Sequence, residues 1–226
     1  MAYACCRPAL PVASNPVWFR MRNDLAAAMP LGFNRVMKTL LVLFLACLSS
    51  LAVADNPYSA ESAIYKIEVV VGNVTYSGTG VLLAYDKILT NCHIVNNGGW
   101  PRVVHRKSGD IYKVSKYRQL GNFDACILSG DFVGLPVRLS TGYTPGENVW
   151  LYGYPAGLPV IGQGSVKGLV DSDKGKVLLL GAFCAHGSSG GPVLNARGEL
   201  IGLNFGVFQY QNNCLSIPAT SLAPLI

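Results

Sequence analysis

The chain of 226 residues is half apolar and only 13% charged, with a net charge of +6. That charge is uneven: residues 1–54 hold five basic residues against one acidic, which leaves 13 basic against 11 acidic in the remaining 172. A near-neutral body lacks the clustered Lys and Arg on which nucleic-acid affinity rests, so no nucleic-acid partner is expected.

Residues 1–36 carry Cys5-Cys6, scattered arginines, Met21 and Met29, and read as an extension upstream of a true start at Met37. An arginine-rich organelle-targeting segment is the competing reading. Residues 37–54 join Met37-Lys38, the apolar run Leu40–Leu48 and Ala52-Val53-Ala54, the three parts of a secretory signal peptide. Cleavage after Ala54 would leave Asp55 first. The uncharged stretch Thr39–Ala54 is 16 residues long, short of the ~20 that a spanning helix needs. No stable membrane span is therefore expected after cleavage, and the protein is placed outside the cell or in the periplasm. An uncleaved signal acting as an anchor is the alternative.

From Ala63 onward short apolar and β-branched runs alternate with turn signals. The runs are Ile67–Val71, Gly80–Leu83, Lys87–Thr90, Ile111–Lys116, Ala125–Leu128, Asn148–Tyr152, Lys176–Leu180 and Leu200–Phe205. Strands at this spacing, without long segments of period 3.6, predict an all-β barrel or sandwich. The basic run Arg102, Arg106, Lys107, Lys113, Lys116 and Arg118 reads as a solvated hairpin face, and His105 within it as an ordinary surface residue. Asp110 and Asp131 each follow a Ser-Gly pair and read as turns.

Three positions carry the candidate chemistry. After a turn at Asp86-Lys87 a second strand ends at His93, where a sheet would hold its ring. Asp124 opens the apolar run Ala125–Leu128, and a partly buried carboxylate needs a partner such as an imidazole N–H. Ser189 lies in Gly187-Ser188-Ser189-Gly190-Gly191-Pro192, where glycines allow a carbonyl substrate close approach and aim backbone N–H groups at one point. A serine hydroxyl is a nucleophile only beside a base that a third group orients. The motif also fits the nucleophile elbow of α/β-hydrolases, but that fold needs a histidine after the serine, and His93, His105 and His186 all precede Ser189. The order that remains, His-Asp-Ser, is that of chymotrypsin-like proteases.

The blocks Gly78-Thr79-Gly80-Val81, Leu89-Thr90-Asn91-Cys92-His93-Ile94-Val95, Asp124-Ala125-Cys126-Ile127-Leu128 and Gly187–Val193 resemble the successive motifs of trypsin-like serine proteases. Gly198–Asn204, Ser216-Ile217-Pro218 and Pro145–Val149 leading to Gly153–Leu158 are similar to the bacterial HtrA (Deg) branch. The resemblance runs in unbroken order from Ser77 onward, without room for the PDZ domain that normally follows. It implies two six-stranded antiparallel β-barrels, expected at 55–140 and 141–226 with a crossover near Arg138–Pro145, and an active site in the cleft between them. In that site Ser189 would attack, His93 would act as base and Asp124 would orient it, with an oxyanion hole from the Gly187 and Ser189 amides. Position 188 holds serine where animal trypsins have the aspartate that pairs with a newly cut amino terminus. Activity is therefore expected without that switch.

The implied function is a serine endopeptidase acting on protein or peptide substrates through an acyl-enzyme. A protease-like binding module without turnover, or an esterase on small acyl groups, are the alternatives. Phe183, Cys184, Ala185, His186, Asn204, Phe205 and Gly206 would wall the side-chain pocket. None is a carboxylate, so small or medium apolar side chains are expected, with an acidic one accommodated if His186 is protonated. Four cysteines remain after the signal, an even count that invites disulfides in an exported protein. A Cys184–Cys214 bridge resembles one found in many trypsin-like enzymes. Cys92 and Cys126 adjoin the expected base and acid and are either a second bridge or buried thiols. The cysteines lie 34, 58 and 30 residues apart, which is not zinc-ligand spacing, so neither a metal nor a cofactor is expected. The sequence carries no signal of oligomeric state.

Overall fold

The computed structural model describes residues 57–173, 175–208 and 213–226. The extension and signal peptide expected at 1–36 and 37–54 lie outside the described residues. Among those described, no helix is long and apolar enough to cross a membrane.

The chain is β almost throughout and forms two sheets. The first holds β1 (Ile64–Val71), β2 (Val74–Ala84), β3 (Lys87–Thr90), β4 (Pro101–His105), β5 (Ile111–Lys113), β6 (Lys116–Gln119) and β7 (Cys126–Ser129) in the order β5-β4-β1-β2-β3-β7-β6. The second is a closed six-stranded barrel of β8 (Asn148–Gly153), β9 (Val160–Ser172), β10 (Gly175–Gly181), β11 (Pro192–Asn195), β12 (Leu200–Phe208) and β13 (Asn213–Pro218). Every strand pair is antiparallel. The fold is the chymotrypsin-like one expected, with one correction: the first sheet counts seven strands and curls without closing by hydrogen bonds. The run read as Ile111–Lys116 breaks at Val114-Ser115, so β5 pairs with β4 while β6 pairs with β7. Buried Val114 points inward at the bend.

Strand β8 explains why the halves pack. Its side chains alternate every residue. Val149 and Leu151 enter the core inside the closed barrel with Val166, Leu178 and Val193. Trp150 and Tyr152 face outward into the core that also contains Tyr65, Leu82, Leu89 and Leu128 of the first sheet. A strand buried on both faces reads as a continuous apolar run, and Val149-Trp150-Leu151-Tyr152 is one.

The same alternation corrects His105. On β4, Pro101, Val103 and His105 face inward, and His105 is only 6% exposed. Its ring lies 5.0 Å from that of its cross-strand partner Tyr65. Nε2 sits 3.0 Å from the Ser62 carbonyl, which can only accept, so Nε2 carries the proton and Nδ1 accepts from Ser108. Its polar neighbours in the sequence concealed an inward strand position. Arg106 also departs from the solvated face: its side chain is buried, 3.6 Å from Glu61 and over the Tyr154 ring.

Outward on β1, Glu68 lies opposite Arg102 and two residues from Lys66. Its carboxylate accepts from Lys66 Nζ at 2.7 Å and from Arg102 Nε at 3.0 Å. Burial alone would raise the Glu68 pKa, but these hydrogen bonds and charges outweigh it and hold the carboxyl below its ordinary value. A carboxyl whose folded pKa is depressed adds stability above its unfolded pKa, and that contribution fades as pH falls through the folded value. Glu68→Gln therefore lowers stability by about 1–3 kcal/mol at pH 7, and urea titrations at descending pH show the deficit shrinking below the carboxylate range.

Candidate active site

Strand β3 ends at Thr90, one residue before the turn that holds the histidine. His93 is not at a strand end, as the sequence suggested, but inside a single helical turn, α1 (Cys92–Val95). Asp124 grips it twice: Oδ1 accepts the His93 backbone N–H at 2.9 Å and Oδ2 faces ring Nδ1 at 2.5 Å. The carboxylate side chain is 17% exposed and the imidazole 45%. Asn91 Nδ2 donates to the Asp124 carbonyl at 2.6 Å, and Asn97 Nδ2 donates to the carbonyls of His93 and Ile94 at 2.7 and 2.9 Å. A disulfide joins Cys92, immediately before the histidine, to Cys126, two residues after the aspartate. The bridge left open by the sequence is thus present, as is Cys184–Cys214.

The loop 186–191 packs too closely for side chains at its glycines. A Cβ on Gly187, whose φ is 100°, would stand 2.2 Å from the Tyr154 carbonyl oxygen, and one on Gly190, at φ 77°, 2.1 Å from that of Thr79. The two serines point differently. Ser188 is 2% exposed, and its hydroxyl accepts the Ala185 N–H at 3.2 Å, with the Ser188 N–H returning to the Ala185 carbonyl at 2.9 Å. Ser189 lines a cavity of about 660 Å³ together with His93. Among the described residues the Ser189 hydroxyl and the amides of Gly187 and Ser189 have no hydrogen-bond partner.

Cys184, Ala185, His186, Asn204, Phe205 and Gly206 line the same cavity, as does Val207, which the sequence reading did not single out. Phe183 is absent from this lining and is 55% exposed, packed beside Gly162. A larger cavity of about 790 Å³ beside β6 and β7, lined by Lys113, Lys116 and Arg118 among others, contains no histidine. Two further residues support the loop without having been foreseen in that role. Thr79 on β2 donates its hydroxyl to the Gly187 carbonyl at 2.8 Å, and buried Asn204 donates Nδ2 to the Ser188 carbonyl at 3.0 Å. A polar residue between Gly78 and Gly80 in an otherwise apolar strand was the available signal for Thr79.

A family model described as a trypsin-like peptidase domain matches residues 78–203. The glutamyl endopeptidase of Staphylococcus epidermidis is 30% identical over 171 residues, covering 66% of this chain and 60% of that protein. Human serine protease HTRA4 is 34% identical over 143 residues, or 57% of this chain and 30% of that one. The chain thus spans well under two thirds of the length of these relatives. Among solved structures, the active form of the Rv3671c protease from M. tuberculosis superposes with a TM-score of 0.68 at 20% identity, covering 77% of this chain and 85% of that one. The serine endoprotease from Yersinia pestis gives a TM-score of 0.64 at 25% identity, covering 74% and 61%.

Proposed function

Because the chain belongs to the trypsin-like peptidase family, we propose that it is a serine endopeptidase with Ser189 as nucleophile, His93 as general base and Asp124 as the orienting acid. The observation that carries this reading is the double hold of Asp124 on His93 at the wall of the cavity that Ser189 also lines. With Nδ1–H donated to Asp124, the other ring nitrogen, Nε2, is unprotonated and able to accept a proton. Ser189 Oγ bonds to the scissile carbonyl carbon while its proton passes to Nε2. The C–N bond then breaks as that proton moves to the leaving amine, and water releases the acyl group by the reverse route. The Gly187 and Ser189 amides, which have no other acceptor among the described residues, would bind the oxyanion. The Ser189–His93 hydrogen bond would close with substrate in place, as catalytic hydrogen bonds in free enzymes often do.

In this reading the mature protein starts at Asp55, its barrels run over 55–140 and 141–226, and it works outside the reducing cytoplasm. The two disulfides support that location. Cleavage after small or medium apolar residues fits Ala185, Phe205 and Val207 in the cavity wall. Cleavage after glutamate is the second reading, supported by His186 in the same wall and by relatives named as glutamyl endopeptidases.

A fluorophosphonate probe and a peptide-library survey on the chain from Asp55 test all of this. Labelling at Ser189 with peptide cleavage is the expected result. An unlabelled chain would be a binding module, a labelled one that cleaves only esters would be an esterase, and strong cleavage after arginine would overturn the pocket assignment.

A further inference from the structure

Resting on that reading, we propose that Thr79 and Asn204, one from each sheet, are positioning residues that hold the oxyanion amides ready without a carboxylate at position 188. In a trans peptide the N–H points opposite to the C=O, and the described residues contain no cis bonds. Where the loop's carbonyls are tied therefore decides where its amides point. The His186 carbonyl accepts from Ala156 N–H at 3.3 Å, which turns the Gly187 N–H the other way. Ala156 meets it from the left-handed region, φ 50°, the only non-glycine residue at positive φ among those described.

The Ser188 carbonyl accepts from Asn204 Nδ2 and from the Gly191 N–H, both at 3.0 Å, which likewise turns the Ser189 N–H away from Asn204. The peptide between them must alternate. Its carbonyl, on Gly187, accepts from the Thr79 hydroxyl at 2.8 Å and more weakly from the Tyr154 N–H at 3.3 Å, and its Ser188 N–H donates to Ala185. Three successive peptide planes are thus tied in alternation, with the outer two presenting their N–H groups together.

Thr79 is suited to this because it is wholly buried and every polar group on it is engaged. Its N–H donates to the Ser189 carbonyl at 2.8 Å, and its carbonyl accepts from the Thr90 hydroxyl at 2.6 Å. Its hydroxyl, while donating to Gly187, accepts the Tyr154 N–H at 3.2 Å. Asn204 is locked by its own backbone, whose carbonyl takes the Gly190 N–H at 2.8 Å and whose N–H reaches the Gly191 carbonyl at 2.9 Å. Losing either side chain leaves its peptide plane tied by backbone bonds alone and misaims an amide; Asn204 also lines the substrate cavity, whereas Thr79 does not, so Thr79 separates the two effects.

The test uses Thr79→Val and Asn204→Ala with a fluorogenic peptide drawn from the cleavage survey, plus the matching peptide aldehyde, which forms an oxyanion on binding. Each variant should lose ~10- to 100-fold in kcat, with KM little changed for Thr79→Val, a fraction of what deleting an oxyanion donor costs. Aldehyde affinity should fall by the same factor, and Thr79→Ser should restore both. Asn204→Ala adds no bulk and carries the test from the other sheet if Thr79→Val does not fold. Unchanged kcat, or a lower kcat with undiminished aldehyde affinity, would overturn the inference. An unlabelled wild type would instead overturn the protease reading itself.

Discussion

Ser189→Ala lowers kcat/KM by about 10⁶-fold, the scale seen when a triad serine is deleted, while the melting temperature stays unchanged. The hydroxyl lines an open cavity and has no hydrogen-bond partner among the described residues, so its loss leaves no buried group unsatisfied. Ser188→Ala is the informative control. That hydroxyl is buried and accepts the N–H of half-buried Ala185, so its removal costs that hydrogen bond, about 1 kcal/mol of stability, with most turnover retained. Steady-state kinetics and thermal melts on the two variants separate a chemical role from a structural one. Inactivity of Ser188→Ala with survival of Ser189→Ala would move the nucleophile by one residue.

Removing the Cys92–Cys126 bridge as Cys92→Ala with Cys126→Ala costs about 4 kcal/mol, because the crosslink closes a 34-residue loop. For a chain of this size that lowers the melting temperature by about 10 °C. Activity falls as well, beyond what unfolding accounts for. The bridge ties the helical turn bearing His93 to the start of β7, two residues after the bend bearing Asp124, and the imidazole itself is nearly half exposed with little packing to hold it. Guanidinium titration gives the first number, and kcat measured well below the melting temperature gives the second. A variant that is destabilised yet turns over at the wild-type rate shows the bridge to be a staple only.

The candidate site was legible because the residues proposed for it sit in short local motifs: the glycine-flanked serine, the histidine closing a strand pattern and the aspartate opening an apolar run. Chain order did the rest, since no histidine follows Ser189 to serve an α/β-hydrolase. What stayed hidden depends on which way a side chain faces. His105 sits among polar neighbours yet turns inward because β4 alternates, and Phe183, apolar and next to the cavity, turns outward. The Val114-Ser115 break has no glycine or proline to announce it; it arises because one segment must pair with β4 near one edge of the curled sheet and with β7 near the other. Thr79 was visible only as part of a glycine pattern, because its role is a long-range contact with a loop 108 residues away.

The double-sided burial of β8 makes it a party wall. To melt the closed barrel alone would strip Trp150 and Tyr152 from the neighbouring core, and to melt the curled sheet alone would leave the same aromatic rings facing water. Neither half can open cheaply on its own, so the two sheets stand or fall in one cooperative transition, and a lesion in either is felt by a cleft that draws its groups from both.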